Sequence, residues 1–169
     1  PQRLEALRRR DLVAARRIIS ADRDVNAKRF AIEADTLALI ATQQPMARDL
    51  RILAAILEII TELERIGDYA KGISKINILM GDLPLIKPLV DIPLMQQKAQ
   101  DMLHRALDAF VRRDVELAKA IPGEDDEVDN LYNQVYRELM THIIVNPGAI
   151  EQANYLLWVA HNLERAADR

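Results

Sequence analysis

Residues 62–69 read Glu-Leu-Glu-Arg-Ile-Gly-Asp-Tyr, and residues 162–169 read Asn-Leu-Glu-Arg-Ala-Ala-Asp-Arg. The shared Leu-Glu-Arg-x-x-Asp is one point in a longer self-similarity. Arg9-Arg10-Asp11 returns as Arg112-Arg113-Asp114, an offset of 103 positions (11 to 114). The same offset relates Ala15 to Ala118, Ile18 to Ile121, Asp22 to Asp125, Val25 to Val128 and Asn26 to Asp129. It shrinks to 102 at Pro45 and Pro147 and to 100 at Glu64 and Glu164. Matches held in register, with the drift confined to a turn region, identify a tandem duplication. A chain of 169 residues built this way folds as two small similar halves packed together.

Composition sets the class of each half. Half of the residues are hydrophobic, 5 glycines and 7 prolines interrupt them, and aromatics are 4%. That profile predicts an all-α chain built on Leu, Ile and Ala: two tandem three-helix bundles, six helices in all. The first bundle is expected over 1–80, with helices at 3–19, 22–43 and 46–79. Ser20 marks the first break and Gln44-Pro45 the second, because a residue before proline avoids the helical region. The second bundle is expected over 93–169, with helices at 93–120, 124–145 and 148–169, punctuated by Pro122-Gly123 and Asn146-Pro147-Gly148. Between them, 81–92 reads as a proline-rich linker.

The same counts exclude several function classes. A formal charge of −3 argues against a nucleic-acid partner, which selects for a basic surplus. The absence of cysteine removes disulfides, thiolate zinc sites and cysteine nucleophiles. No apolar run reaches about 18 residues and no secretory signal is present, so a cytoplasmic protein is expected.

The repeated motif carries the chemistry. Ile52, Ile56, Ile59, Leu63, Ile66, Ala70 and Ile73 step by fours and threes, a seam expected to face the core. Beside it, Leu53, Leu57 and Ile60 give way to Glu64 and Asp68, so an apolar stripe ends in two carboxylates one helical turn apart. The second half repeats this with Leu157, Ala160, Glu164 and Asp168. Each half adds a four-spaced pair near the start of its second helix, Asp22/Asn26 and Asp125/Asp129. In an antiparallel bundle that start lies beside the end of the third helix, which brings the pairs together.

Converging carboxylates repel one another unless a positive charge stands between them. Oxygen-only donors suit hard cations such as Mg²⁺, Ca²⁺, Mn²⁺ or ferric iron rather than zinc. The competing reading is a solvated acidic face, which is what a single Glu-x-x-x-Asp usually is. Duplication, the semi-apolar stripe and the second pair in each half favour the metal.

The stretch Pro45–Ala70, PMARDLRILAAILEIITELERIGDYA, together with Asp22–Asn26 and Asp125–Asp129, strongly resembles the PhoU family over nearly the whole chain. The resemblance implies two similar three-helix bundles, in agreement with the repeat. It implies multinuclear metal clusters on the acidic motifs, carried here by Asp22, Asn26, Glu64, Asp68, Asp125, Asp129, Glu164 and Asp168, with iron the first expectation and Mg, Mn or Ca the alternatives. It implies negative control of phosphate import and of the phosphate-starvation response. The expected partners are the ATPase subunit of a phosphate ABC transporter and a sensor histidine kinase. These would hold the protein at the membrane periphery, and a homodimer is expected. No catalytic role is implied.

The chain departs from the family pattern in places. Ala167 replaces the Gly67 of the first copy, a harmless change in a helix, and Asn26 stands where the second half has Asp129. Both ends look trimmed beside the family. Asp49 and Arg51 are expected to form an interhelical ion pair, His161 to sit at the polar edge of the core, Trp158 to pack or meet a partner, and Arg8–Arg10 to be a solvated face. Two other classes compete with the regulator: a carboxylate-bridged metalloenzyme for phosphoester hydrolysis or oxygen chemistry, and a metal-free helical adaptor.

Overall fold

The computed structural model describes residues 12–81, 85–86 and 88–169. These hold the α-helices α1 (Leu12–Gln43), α2 (Arg48–Met80), α3 (Asp91–Arg112), α4 (Val115–Ala120), α5 (Asp125–Val145) and α6 (Ile150–Ala167), with 3₁₀ turns at Ile121–Glu124 and Pro147–Ala149. There is no strand among the described residues. Residues 3–11 of the helix expected at 3–19, and with them Arg8–Arg10, lie outside the described residues.

The two copies share a path until their turn residues differ. Ile121-Pro122-Gly123-Glu124 folds as a 3₁₀ turn that separates α4 from α5. The first copy has Ile18-Ile19-Ser20-Ala21 at the same place, with neither proline nor glycine. There α1 runs unbroken, which corrects the expected break at Ser20. The hydroxyl of Ser20 donates to the carbonyl of Arg17 at 2.8 Å, so the serine is absorbed into the helix instead of capping a new one.

A second correction falls at 93–120, expected as one helix. It divides at Arg113, which adopts a left-handed conformation (φ 59°) and closes α3. Asp114 then caps α4 by accepting the backbone N–H of Leu117 at 3.0 Å. Arg113-Asp114, which repeats Arg10-Asp11 in sequence, marks a corner in the second half. The remaining turns stand as expected. Gln44 and Ala47 take positive φ around Pro45, and Asn146 accepts from the Gly148 N–H at 3.2 Å over Pro147. α3 begins two residues early, because Pro93 is tolerated in a first turn where its missing N–H costs nothing.

In the second half α3, α5 and α6 pack pairwise around one core. Val128, Val135, Leu139, Ala153, Leu156, Val159, Ala160 and Met95 are fully buried there. In the first half α1 and α2 form an antiparallel hairpin. Its α1 face is strongly polar for a packed surface: Asp22 and Thr36 are buried and Arg29 and Glu33 half-buried, beside Ala15, Ile18 and Val25. The halves join through α2 and α6. Gly72 lies at this contact, where a Cβ would stand 3.1 Å from Asn162 Oδ1. Ile73, Ile76 and Met80 of α2 thereby enter the second-half cluster, and a single core crosses the duplication.

Along α2 the expected seam is fully buried only at its far end. Ala70 and Ile73 are buried, whereas Ile52, Ile56, Ile59, Leu63 and Ile66 are half-buried. Ile59, Leu63 and Ile66 line an open cleft of about 590 Å³ opposite Leu103, Leu107 and Phe110 of α3. Among the described residues no helix is long and apolar enough to cross a membrane.

Candidate metal centre

Antiparallel pairing of α1 with α2 sets the first-half site. The Val25 methyl lies 3.5 Å from where a Cβ on Gly67 would stand, and Asp22 reaches Lys71. The start of the Asp22/Asn26 pair therefore lies beside the end of the Glu64/Asp68 pair, as the antiparallel argument requires. The second half repeats the convergence. The charges of Asp129 and Asp168 both act on Asp125 and on Glu164.

The environments of the two quartets differ. Lys71 Nζ stands 2.5 Å from Asp22 Oδ2 and 3.7 Å from Asp68 Oδ1, one ammonium shared by two carboxylates. Its pKa is raised, first by the hydrogen bond to Asp22 and also by both negative charges. Sequence reasoning missed this residue, although a lysine three positions after Asp68 was visible. Glu64 is half-buried and Asp68 exposed.

In the second half, among the described residues, a guanidinium and an imidazole stand at one edge. Arg165 bonds Asp168 at 2.9 Å, and His161 Nδ1 lies 3.4 Å from Glu164 Oε2. Asp125 Oδ1 and Glu164 Oε2 are buried oxygens without a hydrogen-bond partner. Burial pushes the Asp125 carboxyl above its ordinary range, and Asp129, Asp168 and Asp126 add to the effect. Burial does the same to Glu164, reinforced by Asp129 and Asp168 and opposed by His161 and Arg165. Buried carboxylate oxygens without donors are the chemistry that a hard cation satisfies. Among the described residues no three carboxylate or imidazole side chains already converge on one point. Gathering ligands round an ion would therefore take side-chain rotation.

These shifts have a defined sign. A carboxyl whose folded pKa is raised holds its proton more tightly folded than unfolded, so its charge opposes folding above that pKa. The penalty is relieved as pH falls through the raised value. In chelator at pH 7, Asp125→Asn is expected to melt above the parent, by about a degree or two. The advantage should shrink as pH falls through the raised value and vanish once the carboxyl is protonated in the folded and unfolded chain alike. Melting curves across that range check it. Glu124, held below its usual range by Arg105, has the opposite slope, so the difference between variant and parent is the informative quantity.

The other conspicuous residues have modest surroundings. His161 is more than half exposed, its ring 6.2 Å from that of Tyr132. Trp158 faces outward, 58% exposed. Asp49 and Arg51 are exposed on the first turn of α2, and the expected interhelical ion pair does not form among the described residues.

Comparison with known proteins agrees with this architecture. The PhoU domain model matches residues 2–76 and 92–169, one copy for each half. A phosphate-specific transport system accessory protein PhoU homolog of Aquifex aeolicus is 37% identical over 161 residues, covering 95% of this chain and 73% of the relative. The phosphate-specific transport system accessory protein PhoU of Escherichia coli K12 is 35% identical over 166 residues, covering 98% and 69%. The crystal structure of PhoU from Pseudomonas aeruginosa superposes with a TM-score of 0.93 at 30% identity, covering 98% of this chain and 80% of that one. The phosphate transport system regulatory protein PhoU from Streptococcus pneumoniae gives 0.89 at 28%, covering 98% and 78%. With both repeats matched and the fold shared over 98% of its length, the chain belongs to the PhoU family.

Proposed function

We propose that this protein is an accessory regulator of phosphate uptake that represses import and the phosphate-starvation response when phosphate is plentiful. The observation that carries the reading is the match of both repeats to one domain family whose relatives are named for accessory and regulatory roles in phosphate transport. It acts by binding other proteins. The partners are the cytoplasmic ATPase subunit of a phosphate ABC transporter and a sensor histidine kinase, and the protein works in the cytoplasm as a homodimer at the membrane periphery.

In this reading the acidic motifs hold metal. Asp125, Asp129, Glu164 and Asp168 supply hard oxygen donors, and the unbonded buried oxygens of Asp125 and Glu164 favour a cation there. Iron is the first candidate, with Mg, Mn and Ca the alternatives. A bound ion would supply charge neutralisation to these carboxylates of α5 and α6. The residues themselves orient the donor oxygens and set the rim charge that a partner meets.

Deletion of the gene in a strain with an intact transporter is expected to switch on a phosphate-starvation reporter in phosphate-rich medium and to raise phosphate uptake. A reporter that stays silent in that medium would overturn the regulatory reading. Pull-down of the full chain at low salt, in high and low phosphate, should recover the transporter ATPase or the kinase.

A further inference from the structure

Residues 139–150 form the end of α5, the turn after it and the start of α6, and they contain no Asp, Glu, Lys or Arg. In a chain where 29% of residues are charged, that is a long neutral run. The turn makes a convex tip. Ile144 and Val145 are each 80% exposed and Ile150 is 53% exposed, so three branched aliphatic side chains stand in water with no charge among them. The counterpart turn, 102 positions earlier, has Thr42, Gln43 and Arg48 at these places. Clustered exposed apolar groups mark a contact surface.

Helix directions decide what surrounds the tip. α6 runs antiparallel to α2, with Asn162 against Gly72 and Arg169 against Glu62, so the tip lies level with the end of α2. Leu79, one residue from that end, is exposed as well. α1 also runs antiparallel to α2, with Asp22 against Lys71, which brings Arg16 and Arg17 level with the last turns of α2. Both are exposed, and so are Lys75 of α2 and Arg137 of α5. Arg137 precedes Ile144 by seven residues, so it stands about 10 Å behind the tip on the same face of the helix, and the other three lie at a similar depth. Among the described residues none of the four forms a salt bridge. Two acids share this end, and each accepts a hydrogen bond from its own helix: Glu151 from the Tyr155 hydroxyl and Glu138 from Gln134. The exposed charge around the tip is therefore net positive.

We propose that this end of the molecule binds the surface of an anionic bilayer directly, with the α5–α6 tip among the lipids and the four cations against the headgroups. Lasting attachment of a peripheral protein takes two signals, and both are present: aliphatic groups that reach about 5–10 Å into the interface, and basic residues set back at headgroup level. A fluid bilayer accepts a convex aliphatic tip without a preformed pocket, which a protein partner would have to supply. The first-half turn lies at the opposite end of α2, so contact through this tip fixes which end of the molecule faces the lipid. The contact is made by the chain itself and does not rest on attachment through partner proteins.

Sedimentation of the full chain with vesicles of phosphatidylcholine, with and without about one-third phosphatidylglycerol, tests it. The parent should bind the anionic vesicles roughly tenfold or more tighter than the neutral ones, and salt should weaken that binding. Ile144→Ser combined with Val145→Ser should lower it by a similar factor while the melting temperature stays within a degree or two, since neither side chain belongs to the core. Arg16→Gln, Arg17→Gln and Arg137→Gln together should remove the preference for anionic lipid. The chain has no cysteine, so Val145→Cys can carry an environment-sensitive dye. Its emission should shift to the blue with anionic vesicles, and the same dye on Gln43→Cys, at the opposite tip, should not respond.

Binding that survives both serine substitutions, or an equal shift at Gln43→Cys, would overturn the tip as the point of insertion. Equal binding to neutral and anionic vesicles would overturn the part given to the cations. If no vesicle is bound but the dye at Val145→Cys responds to a purified ATPase subunit of a phosphate transporter, the tip is a protein contact. The lipid proposal then falls while the regulatory reading stands.

Discussion

Leu156→Ala is expected to lower the stability of the whole chain by about 2–5 kcal/mol, a fall in melting temperature of roughly 5–15 °C. Leu156 is fully buried on α6, in the cluster that α3, α5 and the end of α2 also build. Removing its branched end costs the transfer free energy of the lost atoms and also leaves a cavity, because side chains from three other helices cannot all collapse inward. Ile73, Ile76 and Met80 belong to the same cluster, so the loss should be felt in both halves. Circular dichroism and a probe placed in α1 should report one shifted transition. If the α1 signal melts at its parental temperature while α6 melts early, the continuous core is wrong. Ile144→Ala, at a position 80% exposed just before the α5–α6 turn, should stay within about half a kcal/mol.

The second large effect is the response to metal. An ion that binds only the folded chain stabilises it by about 2.7 kcal/mol at one hundred times its dissociation constant, and by about 4 at one thousand. Glu164→Gln should abolish most of that gain, because it removes a charged donor whose buried oxygen makes no hydrogen bond. In chelator the sign should reverse. Burial raises the pKa of Glu164, so its charge opposes folding at neutral pH and the uncharged amide should melt slightly higher. Differential scanning calorimetry of parent and variant, each with Mn²⁺ and with chelator, gives four melting temperatures. Parallel shifts in both proteins would count against Glu164 as a ligand. A reversal in their order identifies it as one.

The duplication, the all-helical class and the turns at Pro45, Pro122 and Pro147 were legible because each depends on local chemistry. The corner at Arg113 was not, since arginine carries no signal for a left-handed backbone. Its one clue was Asp114 in front of Val115-Glu116-Leu117, an ordinary helix cap. The run through Ser20 was misread because serine offers two local options, capping a new helix or bonding back into the old one. The choice depended on the absence of proline and glycine beside it. Convergence of Asp22 with the Asp68 turn followed from antiparallel packing alone. The Lys71 bond spans 49 positions and depends on the rotation of two helices about their axes, which hydrophobic periodicity does not specify when the α1 face is as polar as this one. The half-burial of Ile52 through Ile66 was illegible for a related reason: a stripe shows which face is apolar, not how much of it a neighbour covers.

The contact between α2 and α6 has a consequence for assembly. These are the third helices of the two copies, laid antiparallel so that Glu62 of one meets Arg169 of the other at 3.4 Å, and Ile66 and Ala166, equivalent in the repeat, border the same cleft. That is the arrangement of two identical subunits about a twofold axis, written into one polypeptide. A subunit interface obeys mass action and opens when the protein is scarce. Joined by the segment between Met80 and Asp91, this one is unimolecular. It holds at any expression level, and each copy is free to diverge with no loss of its counterpart.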